Sequence, residues 1–276
     1  MQVWIRGLLI VGAGLAPTML SATTPTRIVS LNLCTDSLLL ELAPPASIAS
    51  LTLLSRNPAL SPLAERAAKF PFNHGLAEEV IALAPDLVLA GPATTATTNA
   101  LLSSLGVRVE TFGISASLSD FERDFLRVGA LLDRQPYASQ LLHAMRQHLQ
   151  AIPRRDVRDV SALLVQPNGY VPGPHSLAND LLKYAWTNNV APTLGVPNGG
   201  FIALERLVAA PPHWLVISAV DPTQPAHAMD FFSHPALRQA MRASRVVTLP
   251  DALWACGGTY FAKGVEQLRT AIDGPR

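Results

Sequence analysis

The chain has 276 residues, 49% hydrophobic and 15% charged, so it can bury a sizeable core and is not a disordered tail. Lys and Arg number 21 against 20 Asp and Glu, leaving a net charge of +1. No basic stripe marks a nucleic-acid face.

Residues 1–22 carry the pattern of an export signal. One positive side chain, Arg6, precedes an apolar run from Gly7 to Leu20, and Leu20-Ser21-Ala22 offers small residues for cleavage after Ala22. The run is shorter than the roughly 20 apolar residues needed to span a bilayer, and Pro17 interrupts it. The expected location is therefore the periplasm, with a soluble mature chain.

Arg27 to Leu31 reads as a buried strand and Asp36 to Leu42 as the start of a helix, with Thr35 or Asp36 as its cap. In Leu76 to Ala90, Leu76, Val80 and Leu83 share a helical face, and Pro85 stops the helix. Leu87 to Ala90 then forms an apolar run suited to a parallel strand covered on both sides.

This unit recurs at Ala203 to Ile217. Glu205 falls over Glu78, Pro212 over Pro85, and Trp214-Leu215-Val216 over Leu87-Val88-Leu89. The repeat predicts two lobes of similar α/β design.

Between the copies, Leu118, Phe121, Phe125, Val128 and Leu132 keep one helical face. After Pro136, Leu141, Leu142, Met145, Leu149 and Ile152 continue the pattern to Pro153. This second stretch makes a rod of about 25 Å, long enough to cross between lobes. Val160 to Val165 opens the next strand. The expected organisation is an N-terminal lobe at 25–118, a helical linker with the backbone helix at 119–155, and a C-terminal lobe at 156–276.

Four segments taken together carry a family resemblance: RIVSLNLCTDSLLLEL, LAEEVIALAPDLVLAG, QPNGYVPGPHSLANDLLKYA and VVTLPDALWACGGTYFAKGVEQL. Over about residues 26–271, the chain resembles the helical-backbone periplasmic binding proteins of ABC importers for vitamin B12, iron–siderophore complexes and haem. The resemblance implies an α/β fold of two Rossmann-like lobes joined by one long helix, with the ligand in the cleft between them. It further implies a monomer that binds an iron chelate or a corrinoid, needs no cofactor, and partners a transmembrane permease dimer. Glu78 and Glu205 match the exposed glutamates that pair with permease arginines in that family. On physical grounds alone, both could equally be solvated residues near a helix N-terminus.

In parallel α/β lobes, ligands meet loops at the carboxyl ends of strands. That rule selects Cys34, Arg56, Phe72, His74, Tyr170, Trp254 and Cys256. Tyr170 and Trp254 offer apolar faces with polar tips, Arg56 suits an anionic group, and His74 is a candidate metal ligand. Three readings stay open for the cysteines: a disulfide clamping the lobes, a thiolate grip on a metal, or two small buried thiols. Where vitamin B12 receptors carry tryptophans and tyrosines, this chain has Leu54, Phe72 and Gly91, and it lacks the run of basic residues expected for strongly anionic siderophores. The ligand stays open between a corrinoid, a siderophore complex and haem.

Two other classes compete. A receptor for bare zinc or manganese needs several histidines, and His143 and His148 fall on the connecting helix while His213, His227 and His234 lack metal-binding spacing. A Cys34–His74 enzyme would need a third orienting residue, and none is recognisable.

Overall fold

The computed structural model describes residues 24–91, 96–153, 160–166, 169–218, 231 and 233–274. The expected signal segment at 1–22 and His227 lie outside the described residues.

The first lobe alternates strands and helices: β1 (Ile28–Ser30), α1 (Leu33–Leu42), β2 (Ile48–Thr52), α2 (Ala64–Ala67), β3 (Phe72–Asn73), α3 (Ala77–Ala82), β4 (Leu87–Ala90), α4 (Ala96–Ser104) and β5 (Val109–Thr111). Its strands form one parallel sheet in the order β3-β2-β1-β4-β5. Ile28 at the centre faces Ile48 on one side and Leu87 on the other. Residues of β1 and β4 are fully buried, as expected for strands covered on both faces.

The second lobe contains β6 (Ser161–Val165), β7 (Tyr170–Val171), α7 (Leu177–Tyr184), β8 (Asn188–Asn189), β9 (Gly200–Phe201), α8 (Leu204–Ala209), β10 (Trp214–Ser218), α9 (Pro235–Ala243), β11 (Arg245–Leu249) and α10 (Phe261–Asp273). Its parallel sheet runs β11-β10-β6-β8, and β7 and β9 make a separate antiparallel ribbon. Read in reverse, β8-β6-β10-β11 follows the same order as β2-β1-β4-β5. The repeated helix-proline-strand unit is thus α3–Pro85–β4 in one lobe and α8–Pro212–β10 in the other. Each copy supplies the strand beside its lobe's first strand.

The lobes are joined by a hairpin of two helices, α5 (Leu118–Leu131) and α6 (Gln135–Ala151). The rod expected after Pro136 forms as α6, and α5 packs antiparallel along it. Asp133 turns the chain in the left-handed region, at φ 54°. The helices approach so closely that a Cβ on Gly129 would lie 2.7 Å from that of Ala138.

The largest apolar cluster does not stop at either lobe. It runs from Ile28, Leu39 and Leu87 through Phe121, Phe125 and Leu142 to Leu164, Val216 and Phe261. The two sheets stay separate while their bases share one core. Among the described residues, no helix is long and apolar enough to cross a membrane.

Candidate ligand-binding site

The carboxyl ends of the two sheets meet at a covalent junction. Cys34 lies in the first turn of α1, the helix that follows β1, Cys256 follows β11, and the two form a disulfide with Cα atoms 4.9 Å apart. Of the three readings open from sequence, this selects the disulfide. It overturns both the thiolate grip and the pair of buried free thiols, and it removes the nucleophile from a Cys34–His74 enzyme. The cap of α1 is also corrected. Asn32 accepts from the Cys34 N–H at 2.9 Å, while Thr35 and Asp36 lie inside the helix and are buried.

Asp36 acts across the first lobe instead. Its carboxylate accepts from the Thr52 N–H at 3.1 Å and from the Thr52 hydroxyl, tying α1 to the carboxyl end of β2. Burial pushes its pKa from the ordinary 3.8 to about 7, against the pull of hydrogen bonds from Ser30 and Thr52. Beside it, the buried Asn73 amide donates to the Ser30 and Leu51 carbonyls and to the Ser50 hydroxyl, at 2.9–3.1 Å. At the matching ends of the second sheet, Asp251 stands beside Ser218 and Gln166, and burial raises its carboxyl from 3.8 to about 6. Each sheet thus carries a buried carboxyl near its carboxyl end, with its pKa raised by burial.

On the wall of the first lobe, Phe72 is 44% exposed and gathers two neighbours. The Arg56 guanidinium lies 4.5 Å from its ring centroid while donating to the Phe70 carbonyl. The His74 ring meets its edge at 5.4 Å. Glu79 fixes that imidazole, accepting from the His74 backbone N–H at 2.7 Å and contacting Nδ1 at 2.8 Å. These bonds hold the Glu79 carboxyl below its ordinary range. A neutral ring so held carries its proton on Nδ1 and leaves Nε2 as the acceptor.

The second lobe exposes aromatic side chains on the β7–β9 ribbon. Tyr170, 40% exposed, meets Phe201, 72% exposed, edge to face at 5.8 Å. Glu79 and Phe201 escaped sequence reading. Glu79 stands beside Glu78 in the first turn of α3 with nothing local to announce His74 as its partner, and Phe201 lies in a two-residue strand with no periodicity to reveal it.

The other expectations divide. Trp254 does not present an open stacking face: it is 5% exposed within the shared core, and its indole Nε1 finds no acceptor among the described residues. Trp254 closes the turn Asp251–Leu253, donating its backbone N–H to the Asp251 carbonyl at 3.0 Å, and its side chain packs into the core shared by both lobes. Glu78 and Glu205 are both exposed in the first turns of α3 and α8. Among the described residues, no group of three or more His, Cys, Asp or Glu gathers as a metal site.

Two cavities, of about 670 Å³ and 440 Å³, lie between α5, α6 and α7 and between the ends of α6 and α10. Neither touches a wall residue. In the larger, Arg146 pairs with Glu122 at 2.5 Å and Lys183 lies 3.9 Å from Asp180.

Two parallel α/β lobes over a shared core, joined by a helical hairpin, have the architecture of a cleft-type solute-binding protein. The sequence confirms it: residues 28–253 match the periplasmic binding protein family, and the chain belongs to that family. The family is one of solute-binding proteins rather than enzymes.

No curated protein matches the chain. Solved structures with the same fold include the periplasmic heme-binding protein RhuT from Roseiflexus sp. RS-1 in apo form, at 19% identity and TM-score 0.72, covering 89% of this chain and 97% of that one. The periplasmic heme-binding protein HutB of Vibrio cholerae aligns at 16% identity and TM-score 0.72, covering 90% and 99%. An ABC-type Fe3+-hydroxamate transport system from Saccharomonospora viridis DSM 43017 aligns at 21% and 0.68, covering 91% and 94%.

Proposed function

We propose that this protein is the periplasmic receptor of an ABC importer, binding an iron complex or a corrinoid between its lobes and delivering it to a permease dimer. The observation that carries the reading is the pair of aromatic walls at the strand ends, Phe72 with Arg56 and His74 on one lobe and Tyr170 with Phe201 on the other. Exposed aromatic edges on both sides suit a ligand with a flat, apolar face, and a single arginine suits one or two anionic groups on its rim. That balance favours haem over a strongly anionic siderophore. The likeness to haem-binding and Fe3+-hydroxamate proteins of the same fold supports the same range of ligands.

Titration with haemin, a ferric hydroxamate and cobalamin tests the ligand. Haemin is expected to bind, and the pair Phe72→Ala/Phe201→Ala to weaken it about tenfold or more, the scale of losing two buried aromatic contacts. Failure of all three to bind, or unchanged affinity in the pair, refutes the reading. Delivery is tested separately by Glu78→Lys/Glu205→Lys, in which ligand affinity holds and uptake through the importer is lost. Charges on matching lobe tops set the orientation of docking more than its strength. Undiminished uptake in that variant removes the two glutamates from docking.

A further inference from the structure

Cys34, Ser37 and Glu41 follow one another along α1 at helical spacing, so they form one row on the helix. The segment from Cys256 to Tyr260 in the second lobe meets every member of that row. Cys256 is bonded to Cys34. The Tyr260 hydroxyl lies 3.4 Å from Ser37 Oγ, and Glu41 accepts from the Thr259 N–H at 3.1 Å and from its hydroxyl.

The same segment is seated against the hairpin. Gly257, at φ 72°, passes so close to α5 that a Cβ there would lie 2.6 Å from Phe121 Cδ2. Glu41 is buried, and its pKa is raised by that burial against the bonds from Thr259.

We propose that this row is an interlobe latch, in which the Cys34–Cys256 bond pins the two lobes at the cleft floor and the flanking contacts set their angle. Hydroxyl and carboxylate contacts alone break and re-form as two bodies swing. A covalent bond between residues 222 apart in sequence, at the carboxyl end of each sheet, removes that freedom. The oxidising periplasm expected for this family keeps such a bond closed. The lobes can then flex at the rim and cannot part at the base, with or without ligand. The inference concerns the empty protein and stands apart from the identity of the cargo.

The test places maleimide spin labels on Glu65→Cys in α2 and Arg238→Cys in α9, exposed positions on opposite lobes. Pulsed dipolar spectroscopy then compares the native disulfide with Cys34→Ser/Cys256→Ser. The latched protein is expected to give one narrow distance, and the serine pair a distribution at least twice as broad. Equal widths overturn the latch.

A second measurement covers poor folding of the serine pair. In the native chain, amide exchange over residues 33–42 and 256–261 is followed before and after reduction with a phosphine. Reduction is expected to speed exchange in both segments together by about tenfold or more. Unchanged exchange in a protein shown by mass to be reduced also overturns it.

Discussion

Asp36 shows how one side chain at a helix start can serve a distant strand. Its folded pKa, about 7, stands above the ordinary 3.8 because burial disfavours the charged form. The stabilising contribution is therefore fully present below pH 3.8 and is lost as pH rises through about 7. Asp251, raised to about 6, acts in the same sense. Denaturation in urea is expected to show a lower midpoint at pH 8 than at pH 5. Asp36→Asn, which keeps an acceptor for the Thr52 N–H and can donate to the Thr52 hydroxyl, should flatten much of that slope; a slope identical to the parent's would show that another group carries it. Sequence reading made Asp36 a candidate cap because a short polar residue ahead of an apolar run does either job. Its partner, Thr52, is 16 residues away, and nothing local announces it.

The α5–α6 hairpin was the most legible part of the chain. Its stripe of Leu118, Phe121, Phe125 and Val128 is buried as the spacing implies, and α6 spans Gln135–Ala151 within a residue of the expected rod. Helical periodicity is a local signal, so it survives without knowledge of the fold. The β7–β9 ribbon was not legible, because two-residue strands carry no period and their pairing joins Tyr170 to Phe201 across a loop. The repeated α–proline–β unit was readable for the same reason as the hairpin: its breaker and apolar run are contiguous.

Within the hairpin, Phe121 is 2% exposed and touches Phe125 at 5.4 Å as well as Gly257. Phe121→Ala is expected to cost about 3–5 kcal/mol of stability, the usual range for emptying a buried aromatic site. A loss under about 1 kcal/mol in chemical denaturation would mean that α5 is not packed as described.

At the scale of the molecule, the disulfide closes a loop across almost the whole chain. In the chain-entropy account, joining residues 222 apart stabilises the fold by about 5 kcal/mol through the unfolded state. Reduction should lower the melting temperature by several degrees, read by calorimetry under oxidising and reducing conditions; no change would mean that the reduced chain retains the same constraint in another form.

The core that runs beneath both sheets has a wider effect. Phe261, on the last helix, and Ile28, on the first strand, belong to the same apolar cluster. Severing the chain between Thr111 and Leu118 would strand part of that cluster in water on each side. Neither half is a portable module that could be excised, expressed alone or grafted onto another chain. The protein presents two halves to its ligand, yet it inherits, melts and fails as one.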